Sequence, residues 1–150
     1  MTAYEILLRL TFVILSLLGL YTSVSFGSEK LGRYIKPLAN FKPVEVVCGD
    51  GSCIKLEDTW WAHVIGVPNW WFGIAFYSLI ILCALWTNVW IISFGIIAST
   101  ASVFFSIFLI YGLVFKLKTV CRLCYIAHAT NAAIFITWVV AIWQASKIVQ

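Results

Sequence analysis

The chain has 150 residues, a length that fits one domain, expected to span 1–150. Hydrophobic residues make up 63% of it and charged residues only 11%, which excludes a soluble globular protein and leaves a lipid bilayer as its solvent. The net charge of +4 is spread out with no basic run, so nucleic acid is not an expected partner.

Crossing a hydrocarbon core of roughly 30 Å takes about 20 apolar residues in a helix. Four stretches approach or exceed that length, 6–26, 70–86, 89–115 and 121–143. The expected fold is therefore all-α, an integral membrane bundle of four transmembrane helices with a long loop between the first and second. Arg9 lies near the end of the first span, where it can snorkel to the interface. That span is longer than the apolar run of a secretion signal and lacks a basic flank, so it is read as a retained helix.

The loop, 27–69, carries most of the charges. Its centre is Cys48-Gly49-Asp50-Gly51-Ser52-Cys53, where two glycines and an aspartate predict a tight turn between two cysteines. After it, residues 56–66 are expected to form a short interfacial helix with Trp60 and Trp61 dipping into lipid, ended by Pro68. Trp60, Trp61, Trp70 and Trp71 mark one face of the membrane, and Trp86, Trp90 and Trp143 the other, as an aromatic belt.

The remaining connections are short, which makes the last three helices sequential antiparallel neighbours. Gly95, Ser99, Ser102 and Ser106 fall on one stripe of the third span and are expected to let a neighbouring helix approach closely.

With four spans, the loop after the first helix and the link before the fourth lie on the same side of the membrane. Cys48 and Cys53 are thereby expected to share a face with Cys121 and Cys124, whereas Cys83 lies well down the second span and is read as a packed, inert thiol. In Cys121-Arg-Leu-Cys124 the two sulfurs are three residues apart on one helical face, close enough for a disulfide. With Thr119 or Val120 as the cap, Cys121 meets the positive end of the helix dipole beside Arg122, which favours its thiolate. His128 and Asn131 continue the stripe of Cys124, and polar groups within a span are expected to face the bundle interior.

Two pairs of cysteines also suit a Cys₄ zinc site, but zinc pairs usually sit on turns and one pair here heads a membrane helix, so no metal is expected. Covalent haem attachment requires histidine after the second cysteine, and Tyr125 stands there.

The order of these pieces resembles the vitamin K epoxide reductase family. The matching residues are Cys48-Gly-Asp-Gly-Ser-Cys53, Val67-Pro68-Asn69-Trp-Trp-Phe72-Gly73 and Cys121-Arg-Leu-Cys124, and the resemblance covers nearly the whole chain. The resemblance implies an enzyme in which a thioredoxin-fold, DsbA-like partner passes electrons to Cys48 and Cys53, these pass them to Cys121 and Cys124, and a quinone, ubiquinone or menaquinone, accepts them. It further implies quinone contacts at Asn69, Phe72 and His128. His128 stands where animal members have a tyrosine, and the loop pair is more closely spaced than theirs. The resemblance also implies that the partner is a separate protein, since many prokaryotic relatives carry a fused thioredoxin-like domain and this sequence ends at Gln150.

Two other activities stay open at this point: reduction of vitamin K quinone or its epoxide, and a non-catalytic membrane protein with a structural zinc or disulfide. The family places the cysteine face outside the cytoplasm of a prokaryotic inner membrane. Charge points the other way, because eight of the ten cations (Lys30, Arg33, Lys36, Lys42, Lys55, Lys116, Lys118 and Arg122) lie on that face.

Overall fold

The computed structural model describes residues 3–31, 56, 59–64, 66–86 and 89–148. Cys48 and Cys53 lie outside the described residues. The elements are α1 (Ala3–Leu31), a 3₁₀ turn (Trp60–Ala62), β1 (His63–Val64), β2 (Val67–Pro68), α2 (Asn69–Leu85), α3 (Val89–Tyr111), a π-helical extension of α3 (Gly112–Leu117) and α4 (Arg122–Ile148).

Three helical stretches, Ala3–Ser28, Trp90–Leu117 and Arg122–Gln144, are long and apolar enough to cross a membrane. The 17 residues of α2 are equally apolar but shorter. At 1.5 Å per residue they reach about 25 Å, slightly less than the hydrocarbon core. Leu10, Ile14, Leu17, Ile97, Phe104 and Ile136 stand exposed on the outside of the bundle, an apolar perimeter of the kind that lipid covers.

Small residues let α1 and α2 come together. Gly19, Ser23 and Gly27 recur on one face of α1, and they meet Tyr77, Gly73 and Trp70 of α2 in reverse order, so the two helices run antiparallel. A methyl group on Gly19 would enter the Tyr77 ring, and one on Gly27 the Trp70 indole. Only glycine leaves room for two large aromatic side chains there, the small-residue packing expected of helices in lipid. On α3, Gly95 lies against Trp138 and Cys83, as the small-residue stripe predicted. Cys83 is buried, and its thiol points at the Ile91 carbonyl at 3.4 Å.

Buried side chains form two clusters at different depths. One holds Phe12, Tyr77, Ile80, Cys83, Ala84, Ile134 and Trp138. The other gathers Leu56, Leu113, Cys121 and Leu123, with Phe26, Leu117 and Cys124 packed against it. The second cluster brings the chain after α1 and the start of α4 to one end of the bundle, as the topology of the sequence required. At the far end of α4, the Lys147 ammonium sits 3.7 Å above the Trp143 ring.

Residues 59–64 do not follow the interfacial helix expected over 56–66. Thr59 turns the chain instead, its hydroxyl donating to the Leu56 carbonyl at 2.7 Å, and the 3₁₀ turn passes directly into a small hairpin that pairs His63 with Pro68 and Val64 with Val67. Gly66 takes a φ of +79°, which closes the hairpin, and Pro68 forces the residue before it into an extended conformation. A helix cannot run through that pair of residues.

Candidate redox site and cavity

Cys121 occupies the position just before the first residue of α4 and caps it. Its carbonyl accepts from the Tyr125 N–H at 3.1 Å, and the Cys124 N–H points at its sulfur at 3.3 Å. The cap is thus Cys121 itself, not Thr119 or Val120 as expected from sequence. The reason is that Lys118 adopts a left-handed conformation, φ 49°, where the π-helical segment ends, so the chain enters α4 only at Arg122. Cys121 and Cys124 are joined by a disulfide, with their Cα atoms 5.3 Å apart.

The two sulfur-bearing residues have different surroundings. Cys121 is fully buried among Leu56, Leu113 and Leu123. Cys124 lies one turn further along α4, on the wall of a cavity of about 520 Å³ lined by the four helices and the segment before the hairpin. One side of the disulfide therefore faces the chain that leads back towards the loop cysteines, and the other faces the bundle interior.

Aromatic and aliphatic side chains form most of the cavity wall, including Phe26, Phe76, Phe105 and Leu109. Asn69, Phe72 and His128, the three predicted contacts, all line it together with Cys124. Phe72 is also nearly half exposed, at 46%, so only part of its ring serves the cavity. Asn69 is the first residue of α2 and its amide does not cap the helix. The Nδ2 group donates instead to the Trp61 carbonyl at 2.8 Å, a partner that the hairpin brings back alongside it. Its Oδ1 is buried and has no hydrogen-bond partner among the described residues, and His128 Nδ1 is in the same condition. Unsatisfied buried polar atoms call for a reason, and a ligand hydroxyl supplies a donor for Oδ1, as a ligand oxygen supplies a partner for Nδ1.

Several wall residues were missed or misread from sequence. Trp61, expected to dip into lipid, turns towards the bundle: its indole covers Gly112 and packs on Phe108 with ring centres 5.1 Å apart and planes tilted by 37°, forming part of the cavity wall. Trp70 is likewise turned inward, only 6% exposed, whereas Trp60, Trp71, Trp86, Trp90 and Trp143 stand outside as belt residues do. Tyr77 was not singled out, although Asn69, Gly73 and Tyr77 recur every fourth residue and so share one face of α2. Ser102 and Ser106, assigned to packing, also line the cavity.

A neutral acceptor suits this chamber better than an anion, because no Lys, Arg, Asp or Glu is among its described lining residues. The amide of Asn69 can donate to a carbonyl or accept from a hydroxyl, which fits a quinone and its reduced form alike.

No curated protein matches the chain. The model of the vitamin K epoxide reductase family matches residues 10–139, from the first helix into the last. Proteins of this family use quinone-type substrates. With a match over most of its length, the chain belongs to the vitamin K epoxide reductase family and is a membrane redox enzyme of that type.

Proposed function

We propose that the protein is a thiol:quinone oxidoreductase that generates disulfides in a thioredoxin-fold partner. The observation that carries this reading is the two-sided setting of the Cys121–Cys124 disulfide, with Cys124 on the cavity wall and Cys121 beneath Leu56.

Leu56 stands three residues after Cys53 in sequence, a tether of at most roughly 11 Å. Packing of Leu56 on Cys121, with that short tether, supports Cys53 as the loop cysteine that exchanges with the buried sulfur. In this reading a partner thiolate attacks the Cys48–Cys53 disulfide, the partner leaves oxidised, and the reduced loop pair then opens Cys121–Cys124 by the same exchange. Cys53 attacks Cys121 because that sulfur lies under its own segment, and Cys124 is released as the thiolate facing the cavity. Cys48 then attacks Cys53, reforming the loop disulfide and displacing Cys121, and the Cys124 N–H aimed at Cys121 Sγ steadies the charge on the freed sulfur. A quinone in the cavity supplies the acceptor for the two electrons and two protons given up as the two thiols rejoin. Asn69 and His128 hold its oxygens, Phe72 covers its ring, and the apolar walls keep water away from the exposed sulfur. The cysteine face is extracytoplasmic, where disulfides made in a partner persist.

The test is turnover of a reduced DsbA-like dithiol by the purified protein, with ubiquinone and menaquinone analogues compared and quinone reduction followed by absorbance. The wild-type chain is expected to couple dithiol oxidation to quinone reduction, and alanine at Cys48, Cys53, Cys121 or Cys124 is expected to abolish the coupling. Wild-type rates in Cys121→Ala and Cys124→Ala would refute the proposal. A parallel assay with vitamin K epoxide, which the family's name recommends, separates quinone reduction from epoxide reduction.

A further inference from the structure

We infer that Asn131, held in place by Tyr77 and Ser106, is a further ligand-binding residue, and that its remaining amide N–H donates to the quinone oxygen lying deepest in the bundle. The inference rests on the quinone reading given above and adds a residue to that site.

Asn131 sits on α4 seven residues after Cys124, about 10 Å further along the axis. Cys124, His128 and Asn131 form one stripe, and all three line the cavity. A carboxamide inside a membrane bundle is costly, and it persists where partners and a role compensate. Two partners are present. The Tyr77 hydroxyl donates to Asn131 Oδ1 at 2.8 Å, and Asn131 Nδ2 donates to Ser106 Oγ at 2.8 Å. Tyr77 reaches across from α2 and Ser106 from α3, so the amide is clamped between three helices.

The count of hydrogens makes the case. A carboxamide has two N–H donors, and the clamp uses only one of them. Turning the amide over does not alter this. Tyr77 would then donate to the Ala127 carbonyl at 3.3 Å and accept from Nδ2, Ser106 would donate to Oδ1, and one N–H would still be left. Asn131 is only partly buried and its open side is the cavity, so the spare donor has the cavity to point into. Donors then stand at two levels, Asn69 near the hairpin and Asn131 deep between the helices. A ligand with oxygens on opposite sides of a flat ring can engage both. Tyr77 and Ser106 are positioning residues: they fix the direction of the amide without needing to touch the ligand.

The experiment is equilibrium binding of menadione and of a short-chain ubiquinone to the full chain in detergent, with Cys121–Cys124 oxidised so that no turnover occurs. Quenching of tryptophan fluorescence reports binding, since Trp61 and Trp70 line the cavity. Loss of one ligand hydrogen bond in Asn131→Leu is expected to raise Kd about tenfold. Tyr77→Phe keeps the ring against Gly19 but frees the amide, and is expected to raise Kd about threefold, a fraction of one hydrogen bond. In the wild type, the infrared stretch of the deeper carbonyl of singly ¹³C-labelled menadione is expected to be lowered by this bond, and Asn131→Leu to raise it while the other carbonyl stays unchanged. If Asn131→Leu fails to fold, Tyr77→Phe and Ser106→Ala decide by the same two readouts. Wild-type Kd and a wild-type carbonyl frequency in these variants, in a protein that binds quinone, overturn the role of Asn131. Failure of the wild type to bind either quinone overturns the functional reading, and this inference with it.

Discussion

Cys121 and Cys124 differ by one helical turn and by everything around them. The first is sealed under leucines and the second is open to an apolar chamber. On the proposed relay this asymmetry assigns the order of exchange, because a thiolate arriving from the loop meets Cys121 first. In Cys124→Ala the Cys121 thiolate, with no neighbour to pair with, is accordingly expected to attack Cys53 of the Cys48–Cys53 disulfide and release the Cys48 thiol, leaving Cys53 linked to Cys121. Mass spectrometry of a non-reducing digest detects that linkage, and a digest joining Cys48 to Cys121 instead would reverse the assignment. Both cysteines of the pair were legible from sequence, as was the common stripe of Cys124, His128 and Asn131, because a helix repeats every 3.6 residues. The partners of Asn131 were not legible, since Tyr77 lies 54 positions away and Ser106 lies 25 positions away.

Among the elements, the spans supply most of the cavity wall, and the segment before the hairpin and the π-helical end of α3 complete it. The hairpin carries Trp61 back over the bundle, where its carbonyl orients Asn69 and its indole rests on Gly112. π-Helical turns are frequent at functional sites, and this one places a glycine where the indole needs space. Gly112→Val would drive a side chain into that ring. Overpacking of this kind typically costs about 1–3 kcal/mol. The expected result is a lower thermal midpoint in detergent together with a raised KM for quinone, because Asn69 loses its fixed carbonyl partner. A variant with wild-type melting and KM would show that the Trp61–Gly112 contact does not govern the site. Residues 56–66 were misread as a helix because apolar and aromatic residues there suit an interfacial helix by composition. The backbone demands of Gly66 and Pro68 outweighed that signal.

For the whole molecule, the open quantity is its direction in the bilayer. Lys116, Lys118 and Arg122 flank the disulfide end of the bundle, while Arg9 and Lys147 belong to the opposite one. By the positive-inside rule that distribution favours a cytoplasmic disulfide, whereas disulfide generation for export favours the outer face. We expect the outer face. After mild reduction of intact cells, a membrane-impermeant maleimide should label Cys48 and Cys53, and protection of both until lysis would show the inverted arrangement.

The sequence by itself determined the solvent, the helices and the placing of Cys121 and Cys124 one turn apart at the head of the last one. Each of these follows from composition or local periodicity, and none requires knowing which helices touch. The tertiary structure alone decided that Trp61 turns inward, that Leu56 covers Cys121, and that Asn69, His128 and Asn131 share one chamber with Cys124. Those are contacts between distant segments. In lipid, where nearly every residue of a span is apolar, the pattern of hydrophobicity carries little information about which face meets which neighbour. Small residues and hydrogen bonds settle it, and both become readable only when the opposing helix is in view.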